Sequence, residues 1–330
     1  MIAKLLRRCL VALSFLPAVA LAPGASAADN YPAKAIRVIV PFAPGGASDF
    51  AARILSPHLT AVLGQPVIIE NRAGASGNIG MEVAAKANPD GYTVFLGNIG
   101  TISINPAAYS SLPVKPLRDF IPVSVVAEMP SILIAKDKFA GNSVGDLEKI
   151  ARAEPGVLNF ASPGSSTLNR LEMEQFMKSA GVKLVHVPYK GGAGPAVTGM
   201  LGGETDVMFV TLSSAMSFVK AGKLKAFAVT SQSRVEALPR VPTMIESGFP
   251  DFVTSSWQGV FVPAGTPHAI VAKLHDALVK VLAMPEVKER FAAGGVTASS
   301  SKSPEEFAAF VAAENARWGK LVHDSGATID

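Results

Sequence analysis

The chain has 330 residues, with 30 Lys and Arg against 26 Asp and Glu and a single cysteine. Lys4, Arg7 and Arg8 are the only charges before residue 28, so the rest carries 27 basic and 26 acidic residues; without a basic run interleaved with aromatics, this argues against a nucleic-acid partner. The one cysteine, Cys9, lies in the same opening segment, which excludes a disulfide framework and leaves about 300 residues to be held by their core, enough for two domains.

The opening segment joins the three cations to an apolar run from Cys9 to Leu21 and then to Ala25-Ser26-Ala27, a small-x-small pattern. This reads as a secretory signal peptide cleaved after Ala27, placing the protein in the periplasm. The run falls short of the ~20 residues that span a bilayer, and Leu6-Arg7-Arg8 before Cys9 is no lipoprotein signal.

Beyond the leader, apolar strand-like runs alternate with helical patterns, which predicts an α/β protein. The first run, Ile36 to Phe42, leads through Pro44-Gly45-Gly46 to a helix over Asp49 to Leu63. A strand that turns through two glycines into a helix leaves backbone N–H groups open at the positive end of the helix dipole, a seat for a carboxylate or phosphate. Asp49 reads either as a helix cap or as a ligand contact. Strands follow at Val67 to Glu70 and Thr93 to Leu96, around a helix at Gly77 to Ala87.

Phe120 to Ala135 and Ser247 to Pro263 are extended and bounded by prolines. If both cross between lobes, residues 134–253 form one lobe, residues 28–133 and 254–330 the other, and a ligand sits between them about a two-strand hinge. Within 134–253, strands are expected at Leu158 to Ala161, Leu184 to Val187, Val207 to Val210 and Ala226 to Val229. Helices are expected at Val144 to Ala153, Thr167 to Ala180, Ala193 to Leu201 and Ala215 to Lys220. A strand at Gly259 to Val262 and helices at His268 to Ala283 and Pro304 to Val322 complete the chain. Two loops repeat the strand-loop-helix arrangement, Ser162-Pro163-Gly164-Ser165-Ser166-Thr167 and Tyr189-Lys190-Gly191-Gly192. Their hydroxyls and amides suit an uncharged anion pocket, and loops at the carboxyl ends of strands line the crevice of such sheets.

Enzyme signatures are weaker. Gly141-Asn142-Ser143-Val144-Gly145 has the letters of a nucleophile elbow, but Lys136-Asp137-Lys138 before it is not a buried strand. Ser143 reads as an N-cap with Asp146 as its capping partner. A secreted serine hydrolase using Ser143, His275 and either Asp206 or Asp251 is the alternative function, and a periplasmic adaptor without a ligand is a third. The five histidines are scattered, so no metal site is expected; no phosphate-binding fingerprint occurs, so neither nucleotide nor any other cofactor is expected.

Several stretches together carry a resemblance. Val40-Pro41-Phe42-Ala43-Pro44-Gly45-Gly46-Ala47-Ser48-Asp49, Glu70-Asn71-Arg72-Ala73-Gly74, Asn88-Pro89-Asp90-Gly91-Tyr92, Val187-Pro188-Tyr189-Lys190-Gly191 and Trp257-Gln258-Gly259 resemble the substrate-binding proteins of tripartite tricarboxylate transporters, the Bug receptors. The resemblance implies a type II periplasmic-binding-protein-like fold, with each lobe a mixed sheet flanked by helices. It also implies a monomer that captures a small carboxylate and delivers it to membrane permease subunits, without catalysis. The site it implies takes Phe42, Gly45, Gly46, Ser48, Asp49, Gly97, Asn98 and Thr101 from the first lobe. From the second it takes Gly164, Ser165, Ser166, Tyr189, Lys190 and Gly191. Asn169, where relatives commonly carry His, and Pro163 depart from the family's pattern. Tricarboxylates, dicarboxylates, aromatic monocarboxylates and amino acids all fit such a seat.

Overall fold

A computed structural model describes residues 30–325; the leader and its expected cleavage after Ala27 lie outside the described residues. In chain order the strands are β1 (Ile36–Val40), β2 (Val67–Asn71), β3 (Thr93–Asn98), β4 (Phe120–Lys136), β5 (Asn159–Ser162), β6 (Val185–Pro188), β7 (Val207–Thr211), β8 (Leu224–Val229), β9 (Ser255–Pro263) and β10 (Thr297–Ala298). The helices are α1 (Ala47–Leu63), α2 (Asn78–Ala85), α3 (Asn105–Ala108), α4 (Pro116–Asp119), α5 (Val144–Ala153), α6 (Leu168–Ala180), α7 (Ala193–Leu201), α8 (Leu212–Lys220), α9 (His268–Leu282), α10 (Pro285–Ala293) and α11 (Pro304–Ser325).

The 17-residue β4 organises the rest. Its first part pairs antiparallel with β9, from Phe120 opposite Pro263 to Pro130 opposite Ser255. From Ser131 onward it pairs antiparallel with β7 and β8 instead. The sheet order is β2-β1-β3-β9-β4-β7-β5-β6, with β8 and β10 also on β4. Parallel pairs β1 with β2 and β3, and β5 with β6 and β7, make both halves mixed.

Helices cover both faces, so the strands are apolar on both sides rather than alternating. Past Ser131, Ile132 and Ile134 of β4 pack with Ala196, Met200 and Leu212 on one face, while Leu133 and Ala135 pack with Phe160, Phe176 and Phe209 on the other. The β1 half has its own core around Phe95, Trp257, Phe261 and Phe307. Most expected elements appear within a residue or two of their expected ends. In the second extended segment the ladder begins only at Ser255, because residues 247–251 turn and 252–254 lie outside any strand. The helix α10 was not among the expected elements; Pro285 at its first position stops α9 and starts it.

Candidate functional site

The carboxyl ends of the strands from both halves meet around a cavity of about 50 Å³, well above the roughly 10–15 Å³ that admits a water. Its wall takes Phe42, Gly46, Ala47 and Ser48 after β1, Asn98, Ile99 and Gly100 at the end of β3, and Ser256 and Gln258 of β9. Opposite them stand Pro163, Thr167, Leu168 and Asn169 after β5, Ala193 at the start of α7 and Thr211 at the end of β7.

Four helices begin on this wall. No side chain caps α1, α6, α7 or α8, and Ala47, Ser48, Leu168, Asn169, Ala193 and Leu212 in their first turns are all buried. The first N–H groups of a helix have no partner within it, and each helix start carries about half a positive charge. No Lys or Arg lines the wall. The cavity is therefore electropositive through its backbone, a setting that holds an anion by amides alone.

Side chains refine this field. Ser48 Oγ donates to Gln258 Oε1 at 2.7 Å, which leaves the Gln258 Nε2 donors beside the cavity without a partner among the described residues. Asn98 Oδ1 accepts the Thr101 N–H at 2.9 Å and so turns Nδ2 away from that turn. Asn169 is held by its Nδ2, which donates to Ser131 Oγ and Glu172 Oε2, both at 2.9 Å. Glu172 is 1% exposed. Burial pushes its carboxyl up to about 7, although hydrogen bonds from Thr254, Asn169 and Ser131 pull the other way.

Of the residues expected from sequence, Phe42, Gly46, Ser48 and Asn98 line this cavity. Gly45 does not: its left-handed φ of 90° bends the loop so that its N–H donates to Asp49 Oδ2 at 3.0 Å, and that amide is not open. Asp49 is a brace rather than a cap of its own helix. Its carboxylate also accepts from Arg53 Nε at 2.8 Å and Asn71 Nδ2 at 3.2 Å. Burial would raise its pKa, but these hydrogen bonds prevail and hold it below the usual range. Thr101 is buried and bonded to Asn98, and Gly97 lies against Ile102 and Phe261 within the core.

The second-half loops are displaced from expectation in the same way. Gly164 offers its carbonyl to Thr167 Oγ1 at 2.9 Å, the Ser165 carbonyl accepts from Arg170 at 2.7 Å, and Ser166 Oγ donates to Asn105 Oδ1 at 2.6 Å. Tyr189 turns outward to donate to Glu204 at 2.7 Å; burial and that carboxylate push its hydroxyl up to about 12. Lys190 is exposed, and the Gly191 carbonyl accepts the Ala43 N–H at 2.9 Å. Ser166 and Gly191 thus tie the loops of the two halves together. Gly194 completes this join, since a Cβ there would run into the Pro44 carbonyl oxygen.

Thr211 and Gln258 also line the cavity and were not among the expected residues, yet each had a signal. Thr211 ends a parallel strand, where crevice residues belong, and Gln258 is a lone amide in an apolar strand, which a core tolerates only with a partner.

The hydrolase residues stay apart in role. Ser143 Oγ accepts the Asp146 N–H at 3.1 Å as the cap of α5, His275 Nε2 bonds the Ser301 carbonyl at 3.0 Å, Asp206 pairs with Lys136 at 2.6 Å, and Asp251 is exposed. Among the described residues no three His, Cys, Asp or Glu side chains gather as a metal site.

Residues 51–327 match the tripartite tricarboxylate transporter family receptor, TctC. The chain belongs to this family. BugT of Bordetella pertussis is 37% identical over 303 residues, covering 92% of each chain. Among solved structures, Rpa4515 of Rhodopseudomonas palustris with adipate superposes with a TM-score of 0.86 at 32% identity, over 90% of this chain and 98% of that one. MatC of the same species with bound malate gives 0.83 at 32% identity, over 88% of this chain and all of that one. TctC proteins are periplasmic solute-binding receptors and not enzymes, which sets the hydrolase reading aside. Their two-lobed, periplasmic-binding-protein fold is the α/β fold found here. No described helix is long and apolar enough to cross a membrane.

Proposed function

We propose that this TctC receptor captures a small carboxylate in the cavity between the starts of α1, α6, α7 and α8 and delivers it to the membrane permease subunits of a tripartite tricarboxylate transporter. The observation that carries the reading is the convergence of four buried, uncapped helix starts on one cavity without a cationic side chain. Backbone N–H groups of Gly46, Ala47 and Ser48, with Gln258 Nε2 and Asn98 Nδ2, would take one carboxylate. Adipate and malate in the two related receptors support the ligand class.

Residues 28–133 with 254–330 form one lobe in this reading and 134–253 the other. β4 and the segment into β9 serve as the hinge, and the loops joined at Gly191, Ser166 and Gly194 meet on closure. Gly45 and Asp49 shape the amide loop, and Ser165, Tyr189 and Lys190 act outside the cavity. The mature receptor begins at Ala28, works in the periplasm as a monomer and needs no cofactor.

Isothermal titration and thermal shift with malate, succinate and adipate test the carboxylate reading. A ligand at 100 times its Kd should stabilise the fold by about 2.7 kcal/mol. Absence of any shift with carboxylates, alongside a shift with uncharged solutes, would refute it.

A further inference from the structure

Asn169 and Glu172 stand three residues apart on one face of α6. Asn169 also lines the cavity. Glu172 is buried with no cationic partner among the described residues, and its surroundings are donors: Thr254 Oγ1 donates to Oε1, Asn169 Nδ2 donates to Oε2 at 2.9 Å, and the Ser131 hydroxyl also bonds it. An ionised carboxylate only accepts, so it must face the NH₂ side of the Asn169 amide. The second Nδ2 hydrogen goes to Ser131 Oγ at 2.9 Å. Both donors are thereby engaged, and the Asn169 carbonyl oxygen Oδ1 has no protein partner among the described residues. The remaining wall offers amide and NH₂ donors and the hydroxyls of Ser48, Thr167, Thr211 and Ser256, so Oδ1 is the amide acceptor left without a partner among these groups.

We propose that Glu172 positions the Asn169 amide so that Oδ1 accepts a hydrogen bond from the ligand, and that the receptor therefore selects carboxylates bearing a hydroxyl or ammonium donor over their unsubstituted analogues. This rests on the carboxylate reading above and adds a donor requirement to it. A plain carboxylate leaves Oδ1 desolvated and unmatched, a penalty that an added hydroxyl removes. Glu172 is a positioning residue in this arrangement, because it acts on the ligand only through Asn169.

The test is isothermal titration of the purified exported protein at pH 8, where Glu172 is ionised, with the pairs malate and succinate, and lactate and propionate. The hydroxy acid of a pair should bind about ten- to hundredfold more tightly. In Glu172→Gln and Asn169→Ala that ratio should fall towards one through weaker binding of the hydroxy acid. Equal affinities within each pair in the unsubstituted protein overturn the donor requirement and leave the carboxylate reading standing. Binding by none of the four overturns the donor requirement, and it removes the carboxylate reading as well only if adipate also fails to bind. A ratio that survives in Asn169→Ala, with melting unchanged, also overturns the proposal, and it does so even if Glu172→Gln fails to fold.

Discussion

The start of α5 and the starts of α1, α6, α7 and α8 are built from the same strand-loop-helix unit, yet they differ in what satisfies them. At α5 the Ser143 hydroxyl takes the Asp146 N–H, the Asp146 carboxylate takes the Asn142 N–H at 2.8 Å, and Asn142 and Ser143 stay in solvent. At the other four the cap is absent and the first turns are buried. An exposed helix end finds water or a cap, whereas a buried one without either needs a ligand or trapped water. A missing cap alone does not mark the four, because α9 and α10 also lack one; what sets the four apart is that their buried first turns converge on one cavity.

The largest effect should come from Gly194→Ala. The added Cβ collides with the Pro44 carbonyl and prevents the loops of the two halves from meeting, so carboxylate affinity should fall at least about a hundredfold, with thermal unfolding of the free protein nearly unchanged. Titration calorimetry decides it, and unaltered affinity would mean that the join at Gly194 has no part in capture.

Glu172 should next appear in the pH dependence of stability. Its folded pKa is about 7 against an ordinary 4.5, so between these values the folded protein holds a proton that the unfolded chain has released. The stabilisation is fully present below about 4.5 and is lost as pH rises through about 7, an effect of roughly 3 kcal/mol. Urea unfolding of the protein and of Glu172→Gln from pH 4.5 to 8 checks the sign; the difference between them should grow with pH in favour of the variant.

A smaller change is expected at Gly46. Its φ of −88° suits any residue and a Cβ meets only ordinary contacts, so Gly46→Ala should be tolerated. Gly46→Val, whose methyls crowd the α1 amides, should weaken carboxylate binding by about tenfold. Equal affinity in both variants would take this loop out of the site. Smallest is Ser143→Ala, which should cost about 1 kcal/mol of stability and leave ligand affinity unaltered. A loss of affinity there would break the contrast between capped and uncapped helix starts.

The order and type of most elements were legible because local pattern carries them. Ile36 to Phe42 shows β-branched runs, Val144 to Ala153 shows helical periodicity after a capping Ser, and β4 shows a long extended segment that prolines mark. The site was legible only as a set of loops. Phe42, Gly46, Ser48 and Asn98, which line the cavity, sit at strand ends within recognisable motifs. Gly45, Asp49 and Tyr189 share those motifs but satisfy partners elsewhere, Asp49 with Arg53 and Asn71, and Tyr189 with Glu204.

The sequence by itself determined the α/β alternation and the family, since both are read from local runs and motifs of about ten positions each, repeated along the chain. Only the tertiary structure decided which amides remain free and which side chains face the cavity. Ser48 reaches Gln258 across 210 positions, and Asn169 is fixed by Ser131 at 38. Hydrogen-bond competition at that range selects among donors that the sequence presents as equals, because a buried polar atom goes to whichever partner the packing brings within about 3 Å.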